Sequence, residues 1–594
     1  MLSQRNLKNA ALAAALFASV GMSSSCTSEP PDDTGGSGSG TGATSGAPSA
    51  GKGGTGAAQG GTSGAVAGGG AGATGGLAGA AGGGTGGAAG GGSGGVPGGG
   101  QAGATGGTIG GNSDGGSGVA GGGAGAAAGD AGSGNAGGSS PTGGGSPGGA
   151  GNSTDPTVRL DQAKQTIDGF GINDTWRALT DSQARELFDP TEGIGLTILR
   201  VGMSPNGNFY NNNEASSISA AKRYGATTII GSVWSPPANC KSNNNTQKGG
   251  HLLTSCYESW SDAIANFAET NDLYAMSAGN EPDFASCGSS IGPPCTVEYD
   301  TTLYTAKEMV AFVKVLGPKL EAVGVKLIAP EASEWIHIWS NTSASGSTVT
   351  SHPNSSDPLQ CGCFGTSTEC AATCGEGNGY DYGHWLAKDS AAWAAVDILG
   401  VHQYDTQVAE PWPADVPERK PVWQTEMSGV KYWPEGEPSK DIDNAIAVAG
   451  WLHNALTVGE ANAWLWWWYQ GSDTNEGLYL SDGSDTKRHY TFGNYTKFVR
   501  PGYVRVDVTG NIPAGVSLSA YKGSDGTVVV VAINAGTATA VVPLTISGGT
   551  APASMTPNVT SATEDLEAGT AVPVTGGILM ASLPSKTVTT FVGK

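Results

Sequence analysis

Basic residues are scarce in this chain. Lysine and arginine together number 29 against 51 aspartates and glutamates, which gives a formal net charge of −22 at pH 7. A protein that binds nucleic acid needs a basic surface to neutralise phosphates, so the charge balance argues against a nucleic-acid partner. It suits a protein that acts on a neutral or differently charged partner.

The N-terminal region lacks an apolar run long enough to cross a bilayer as a helix. Residues 10–22 are mostly apolar, but they fall short of the roughly 20 residues that such a helix needs. Arg5 and Lys8 precede them, so the segment has the form of an export signal, which we place at residues 1–25. The sequence Ser-Ser-Ser-Cys that follows resembles the end of a bacterial lipoprotein signal. We therefore expect lipidation of Cys26 and tethering to the outer membrane at the cell surface, with ordinary cleavage and secretion as the alternative.

Large side chains are nearly missing from about residue 35 to residue 151, where glycine, serine, alanine and threonine dominate. The chain contains 100 glycines, and they crowd into this segment. Such a composition cannot bury enough apolar surface to offset chain entropy, so it predicts a disordered linker over residues 26–154. A packed glycine-rich repeat is the alternative, but the segment shows no fixed period. A flexible linker of ~120 residues has an end-to-end distance of roughly 60 Å.

Cysteine is also infrequent, with nine residues in the chain. Without Cys26, eight remain, and an even number in an exported protein predicts disulfides. The pairs that lie near each other in sequence are Cys240 with Cys256, Cys287 with Cys295, and two pairs among Cys361, Cys363, Cys370 and Cys374. The last four could instead hold zinc, an alternative that an oxidising compartment makes less favourable.

Short apolar runs alternate with helical patterns after the linker. The strand-like runs are QTIDGFG, LTILRVG, TTIIGSVW, LYAMSAGN, VKLIAPE, VDILGVHQY, KPVWQTE and ANAWLWWWY. Between most of them lie amphipathic stretches such as TAKEMVAFVKVLGPKLEAVG. Eight strands joined by helices predict a parallel α/β fold, the (β/α)8 TIM barrel, which we place at residues 165–498.

The end of the chain has a different pattern. From about residue 503 it reads YVRVDV, SLSAYK, TVVVVAIN, TAVVPLTI, ILMASLP and TVTTFVG, with turns and no helix between the runs. This pattern predicts an antiparallel β-sandwich at residues 499–594. The short run VRLD lies just before the barrel, and we expect residues 155–164 to pair into the same sandwich.

Two glutamates stand where apolar strands end. Glu281 lies in the triplet Asn280-Glu281-Pro282, and Glu426 ends the run KPVWQTE. Barrel enzymes place their chemistry at the C-terminal tips of strands, and a carboxylate pair about 5–5.5 Å apart performs retaining glycoside hydrolysis. A single glutamate at a strand end is more often a surface or capping group. The conjunction of the two motifs with a tryptophan-rich final strand favours the catalytic interpretation.

Other strand tips carry groups that suit a sugar site. An arginine can keep a nucleophilic carboxylate ionised, an asparagine can hold a sugar hydroxyl, and indole faces stack on sugar rings. The candidate substrate-binding residues are Asn280, Arg200, Trp234, Tyr404, Trp466 and His402. His402 could instead be a strand-tip histidine with ordinary partners. We expect Trp466 to face the site, Trp467 to pack outward against helices, and Glu331 and Glu334 to support the site or lie on the surface.

These motifs together resemble glycoside hydrolase family 30. IDGFG, WSPP, NEP, APE, HQY and TE occur in the family's order, and the closing stretch KRHYTFGNYTKFVRPGYVRVDVTG resembles subfamily 8, endo-xylanases that act mainly on glucuronoxylan. The resemblance implies a barrel fused to a β-sandwich, with Glu281 as acid/base and Glu426 as nucleophile. It implies that Asn280, Arg200, Trp234, Tyr404 and Trp466 line the central subsite. It also implies a monomer that acts on a xylan-type plant cell-wall polysaccharide without a metal or organic cofactor.

One departure from the family concerns the substrate. Glucuronoxylan-specific members carry an arginine just after strand eight that binds the glucuronate carboxylate, whereas this chain continues Tyr-Gln-Gly-Ser-Asp at residues 469–473. Dependence on a glucuronate branch is therefore left open. Other family activities, namely an endo-β-1,6-glucanase or a glucosylceramidase-like enzyme, stay as alternatives. A glycan-binding surface protein without catalysis is the alternative from another class.

Overall fold

The computed structural model describes residues 154–284, 299–339, 381–404, 408, 411–416, 418–429, 441–471 and 477–594. The predicted export signal, the lipidation site at Cys26 and nearly all of the predicted linker lie outside these residues. So do the Cys287–Cys295 pair and the four-cysteine cluster at 361–374. Within the described ranges, no helix has the length and apolarity to cross a membrane.

Eight parallel strands close into a barrel. They are β2 (Gly169–Asn173), β3 (Ile198–Met203), β4 (Thr228–Val233), β5 (Ala275–Ser277), β6 (Lys326–Ala332), β7 (Ile398–His402), β8 (Val422–Glu426) and β9 (Ala463–Trp466). Each strand pairs in parallel with the next along the chain, and β9 pairs with β2 to close the ring. The predicted (β/α)8 barrel is confirmed.

Helices follow most of the barrel strands and cover their outer faces. Those in the described residues are α1 (Asp181–Phe188), α2 (Glu214–Tyr224), α3 (Tyr257–Thr270), α4 (Ala306–Ala322), α5 (Ile336–Trp339), α6 (Tyr382–Lys388), α7 (Ser390–Ala395), α8 (Ile442–Thr457) and α9 (Lys487–Thr496). Thr180 and Thr305 begin α1 and α4 with capping boxes, which satisfy amide groups that the first turn leaves unpaired.

Seven of the barrel strands fill the interior with apolar side chains. The side chains that fill the interior are those of Ile198, Ile230, Ala275, Ile328, Ile398, Trp423, Ala463 and Leu465. The strand β2 contributes Gly171 at this level, where any side chain would collide with the Ile198 carbonyl and with Leu465. Because side chains alternate along a strand, the inward positions Ala463 and Leu465 fix which of their neighbours point outward.

The second sheet contains strands from both ends of the described chain. Its members are β1 (Thr157–Thr166), β12 (Val504–Thr509), β13 (Val516–Lys522), β14 (Val528–Asn534), β15 (Ala540–Ser547), β16 (Ser554–Thr560), β17 (Glu567–Ala568), β18 (Val572–Thr575), β19 (Ile578–Leu583) and β20 (Thr587–Gly593). β16 also pairs with β20, so the sheet folds over its own apolar core as a sandwich. β1 lies between β12 and β15, which confirms the predicted pairing of the VRLD run.

The barrel and the sandwich are joined by buried polar contacts. Asn494 of α9 donates from Nδ2 to the Asn558 carbonyl at 3.0 Å, and the Thr590 hydroxyl donates to the Asn494 carbonyl at 2.6 Å. Gln165 of β1 donates from Nε2 to the Leu456 carbonyl of α8 at 2.7 Å. The barrel and the sandwich belong to one compact unit.

Two further features lie around the barrel mouth. A small sheet of β10 (Trp468–Gln470) and β11 (Gly477–Tyr479) follows β9. A disulfide joins Cys240 to Cys256 in the loop after β4, as the sequence predicts. This bond closes a loop whose residues lie next to the mouth of the barrel.

Candidate active site

Arg200 lies at the centre of the site. It points inward from β3, has no exposed surface, and donates to three side chains from three other strands or strand tips. Its Nε bonds Glu331 at 3.1 Å, Nη1 bonds Glu426 at 2.7 Å, and Nη2 bonds the Asn280 Oδ1 at 2.6 Å. Because the guanidinium is planar and its donors are fixed, these bonds set the positions of all three groups.

Glu426, at the end of β8, accepts two strong hydrogen bonds. Arg200 donates to its Oε2, and the Tyr404 hydroxyl donates to its Oε1 at 2.7 Å. Burial raises the pKa of Glu426, and the nearby charges of His402 and Arg200 oppose this shift without cancelling it. Burial raises the pKa of Tyr404 well above its usual range, so this phenol keeps its proton and stays a donor.

Glu281 follows β5 in an unusual backbone conformation. Its φ is +47°, in the left-handed region that residues with a side chain seldom adopt, and its N–H donates to the Glu331 carbonyl at 3.0 Å. His402 places Nδ1 3.0 Å from the Oε1 of Glu281. Carboxylate oxygens of Glu281 and Glu426 lie within 4.8 Å of each other. The structure therefore brings the two predicted carboxylates together at one end of the barrel.

Glu331 supports the site from within. It is fully buried, and it accepts from Arg200 and from the Ser232 hydroxyl at 2.5 Å. Burial alone would raise its pKa, but the Arg200 charge, the His402 charge and the serine bonds bring the pKa below the usual value. Of the two alternatives for Glu331, the structure favours a supporting residue, because Glu331 bonds the Arg200 Nε while Glu426 bonds Nη1.

Trp234 lies beside Arg200, and the prediction that Trp466 faces the site is wrong. Trp234 lies with its ring centre 4.9 Å from the Arg200 guanidinium. Trp466 points outward, because its neighbours Ala463 and Leu465 fill the barrel interior, and its ring lies near Arg488 of α9 at 5.8 Å.

Trp467 takes the inward position that was expected for Trp466. Its ring lies 6.4 Å from that of Trp234 and 6.0 Å from that of Trp176. The expectation that Trp467 packs outward against helices is therefore also wrong. Trp176, which the sequence reasoning missed, lies 5.1 Å from Trp234 and has a φ of +67°. A bulky residue in this conformation indicates strain that the surrounding aromatic rings stabilise.

Comparisons with known proteins agree with this geometry. Residues 502–591 match the Glycosyl hydrolase family 30 beta sandwich domain. The chain is 29% identical over 458 residues to a glucuronoxylanase, XynC, of Bacillus subtilis strain 168, a match that covers 74% of this chain and 92% of the relative. The chain is therefore similar to enzymes of glycoside hydrolase family 30, and its β-sandwich matches that family's model.

Two solved structures of family 30 enzymes match this chain over nearly all of their own length. One is the subfamily 8 xylanase Xyn30A from Clostridium acetobutylicum, with 27% identity and a TM-score of 0.58 over 74% of this chain and 99% of that one. The other is an endoxylanase from Clostridium papyrosolvens C71, with 26% identity and a TM-score of 0.57 over 74% and 100%. They share both parts of the fold, the barrel and the sandwich.

Glu281 is held in place through a residue that the sequence reasoning did not single out. Asp283 is buried, and it accepts from the Ser333 N–H at 2.8 Å and the Ser333 hydroxyl at 3.0 Å. It also pairs with Nδ1 of His337, whose bond and charge bring the Asp283 pKa below its usual value against the effect of burial. These bonds connect the loop that carries Glu281 to the segment after β6. In the sequence, the only signal for the role of Asp283 was that an acidic residue lies two positions after Glu281.

A metal ion fits this site poorly. Glu281, His402 and Glu426 each place one ligand atom within 4.8 Å of the others, the one such group of three in the described ranges. The Arg200 guanidinium already neutralises Glu426, and its charge would repel a cation. The arrangement suits two carboxylates that act on a substrate between them.

Proposed function

We propose that the chain is a retaining endo-β-1,4-xylanase that acts on xylan or glucuronoxylan by double displacement. The observation that carries the proposal is the separation of the Glu281 and Glu426 carboxylates, whose oxygens lie within 4.8 Å. A spacing of about 5 Å leaves no room for a water between carboxylate and sugar, as inversion requires, and so favours a direct attack. The substrate follows from the relatives, which are named glucuronoxylanase and endoxylanase.

The roles of the two carboxylates follow from their partners. Glu426 accepts from both Arg200 and Tyr404, so its negative charge is stabilised and its oxygens are held in a fixed direction, as a nucleophile needs. Glu281 lies beside His402, whose Nδ1 is 3.0 Å from the Glu281 Oε1 and whose pKa burial lowers. Arg200 bonds Glu426 and not Glu281, so the guanidinium stabilises the charge of the nucleophile, and Glu281 is the carboxyl group that binds and releases the proton.

In the first step, a Glu426 oxygen attacks the anomeric carbon, and an ester bond to the enzyme forms as the glycosidic bond breaks. Glu281 gives its proton to the departing sugar oxygen. In the second step, Glu281 takes a proton from a water, whose oxygen attacks the same carbon and releases Glu426. The product keeps the starting configuration because the carbon is inverted twice.

The groups around the pair suit a sugar ring. The Arg200 bond to Asn280 uses the amide oxygen, which directs the Asn280 Nδ2 away from Arg200 and leaves it to donate to a sugar hydroxyl. Trp234 and Trp467 offer indole faces next to the carboxylates, with Trp467 in the place first assigned to Trp466. This arrangement supports a central subsite on the mouth side of Arg200.

Activity on a panel of glycans tests the proposed function. The purified chain is incubated with unbranched xylan, glucuronoxylan, a β-1,6-glucan and aryl β-glycosides. We expect internal cleavage of xylan into oligosaccharides and, by NMR at early times, release of the β-anomer. Cleavage of the β-1,6-glucan alone, or release of the α-anomer, would contradict the proposal, and binding without sugar release would favour a glycan-binding protein.

The same panel reports the dependence on a glucuronate branch. The sequence has no arginine directly after β9, the eighth strand of the barrel. Arg177 nevertheless lies near this segment, with its guanidinium 4.0 Å from the Trp468 ring centre, and donates to the Gln470 carbonyl at 2.6 Å. If a branch is required, product lengths from glucuronoxylan follow the spacing of its glucuronates and unbranched xylan stays intact. Cleavage of both polymers indicates that the backbone alone is recognised.

We further propose that the chain is exported and tethered as a monomer by a lipidated Cys26, with the glycine-rich segment as a spacer. The support is the basic, apolar and serine-cysteine order of residues 5–26. Mass spectrometry of the mature N-terminus from the native host is expected to show an acylated Cys26. A mature chain that begins elsewhere, or a Cys26 without acyl groups, would contradict the tether and leave secretion as the outcome.

A further inference from the structure

A disulfide closes the loop between β4 and α3, at the end of the barrel where Glu281 also lies. It joins Cys240 to Cys256, which are 16 positions apart in the sequence. We call residues 240–256 the disulfide loop and residues 299–305, which lead into α4, the connecting segment. The proposed hydrolysis assigns no step to either of them.

The disulfide loop and the connecting segment are hydrogen-bonded to each other along the backbone. The Thr301 N–H donates to the Thr246 carbonyl at 3.0 Å. Two positions further on, the Leu303 N–H donates to the Gly250 carbonyl at 2.9 Å. Thr301 and Leu303 are buried, and buried backbone groups need partners, so a displacement of the loop would displace the segment with it.

Lys241 adds a side-chain contact next to the disulfide. It exposes 2% of its surface, and its Nζ donates to the Thr301 carbonyl. A lysine side chain usually extends its amino group to solvent, so complete burial requires a fixed acceptor for that group. Burial lowers the pKa of Lys241 to about 7, and the amine can donate to a carbonyl in both protonation states. Lys241 therefore holds the connecting segment from the base of the disulfide loop.

The connecting segment in turn holds the backbone beside two residues of the site. The Tyr304 N–H donates at 3.0 Å to the carbonyl of Pro282, which directly follows Glu281. The Thr302 hydroxyl donates to the Trp234 carbonyl at 3.1 Å. Glu281 has a φ of +47°, a conformation that a residue with a side chain retains only where its surroundings fix it. The Tyr304 bond is therefore one of the contacts that fix Glu281.

We propose that the disulfide loop positions the acid/base Glu281 through the connecting segment, with Lys241 and the Cys240–Cys256 bond as the positioning groups. The inference rests on the proposed function, because it concerns the proton-transfer step of that reaction. Glu281 has to lie within hydrogen-bonding reach of the departing sugar oxygen, and a misplacement of about 1 Å can lower a rate by about 10²-fold.

Loss of this positioning has a signature that general destabilisation lacks. Glu426 is held by Arg200 and Tyr404, so its attack on the sugar should continue when the disulfide loop is released. Proton donation by Glu281 should suffer instead. A substrate whose leaving alcohol needs a proton is therefore affected strongly, whereas an aryl glycoside with an acidic phenol as leaving group is affected little.

Two variants of the full chain test the proposal. The double variant Cys240→Ala/Cys256→Ala opens the loop, whereas Lys241→Met keeps the disulfide and removes the buried amine. In each, well below its Tm, we expect kcat/KM on xylan to fall on the order of tenfold and kcat/KM on an aryl β-xylobioside with an acidic phenol to change by less than about twofold. Because both groups act through one connection, all three changes together should lower kcat/KM on xylan by less than the product of the separate effects.

A second lysine of the disulfide loop gives the matched control. Lys248 is exposed, and Lys248→Met makes the same substitution on the solvent side of the loop. It is expected to keep the wild-type kcat/KM on both substrates. If the double cysteine variant does not fold, Lys241→Met still gives the comparison of substrates, because its disulfide is intact.

Two outcomes would overturn the proposal. In one, the variants keep the wild-type kcat/KM on xylan. In the other, they lose the same factor on both substrates, which would assign the loop a role in stability alone. Either result, with a wild type that cleaves xylan, leaves the proposed function intact. A wild type that cleaves no glycan of the panel would contradict the proposed function and this proposal together, and if it cleaves a different glycan, that glycan takes the place of xylan in the comparison.

Discussion

Replacement of Glu426 by alanine is expected to lower kcat on xylan by on the order of 10⁵-fold, because the ester-forming step loses its nucleophile. The variant also leaves Arg200 with one carboxylate partner instead of two. Initial rates on xylan and on an aryl β-xylobioside measure the loss. Turnover close to that of the wild type would show that Glu426 is not the nucleophile.

Glu426→Gln is the matched variant, because it retains the shape and the acceptor for Tyr404 while it loses the charge. It should melt close to the wild type and show a comparable loss of activity, which separates chemistry from folding. Azide added to Glu426→Ala occupies the vacated space and attacks the anomeric carbon once. The expected product from the aryl substrate is therefore an α-glycosyl azide, with inverted configuration.

Replacement of Glu281 by alanine is expected to affect substrates unequally. On xylan, whose leaving alcohol needs a proton, the rate should fall by about 10²–10⁴-fold, the usual contribution of general acid–base catalysis. On an aryl glycoside with an acidic phenol as leaving group, the first step needs little proton transfer and stays fast. The second step then limits turnover, so stopped-flow measurement should show a burst of phenol followed by a slow steady state.

Azide also distinguishes Glu281 from Glu426. In Glu281→Ala the glycosyl–enzyme ester still forms on Glu426, and azide attacks it from the opposite face without a base. The expected product is a β-glycosyl azide, with retained configuration. An α-azide, or an equal loss of rate on xylan and on the aryl substrate, would reverse the two assignments. The absence of a burst would argue against Glu281 as the acid/base.

The sequence was sufficient to predict the barrel, the sandwich and the order of the strand tips. Buried parallel strands are short apolar runs, and the helices between them have a separate periodicity, so the two patterns are distinguishable. The same property explains the error at Trp466. Both faces of a barrel strand are apolar, so the alternating tryptophans identify a shared face but not which one points inward. Ala463 and Leu465, which fill the barrel, decide it.

The supporting residues depended on features that a single sequence does not display. Glu331 enters the site because the register of β6 against β7 shifts after Pro330 and its backbone has a φ of +64°. Asp283 acquires its role from Ser333 and His337, which lie far away in the chain. Pairings of this kind are set by tertiary structure, whereas Glu281 and Glu426 are marked by the motifs around them.

The position of β1 has a consequence for how the molecule is made. Val158 pairs with Val508, and Arg159 pairs with both Asp507 and Ser547. The strand β1 is therefore synthesised before the barrel, whereas the strands that it pairs with are synthesised after the barrel. The sandwich can close only as the last step of synthesis, with high contact order and an unpaired edge until then. A truncated chain that starts at the barrel would lack a central strand of this sheet. β1 also connects the catalytic unit to the segment before it. A mechanical force on the N-terminal segment would therefore act first on β1 and the sandwich, which is the last region to assemble.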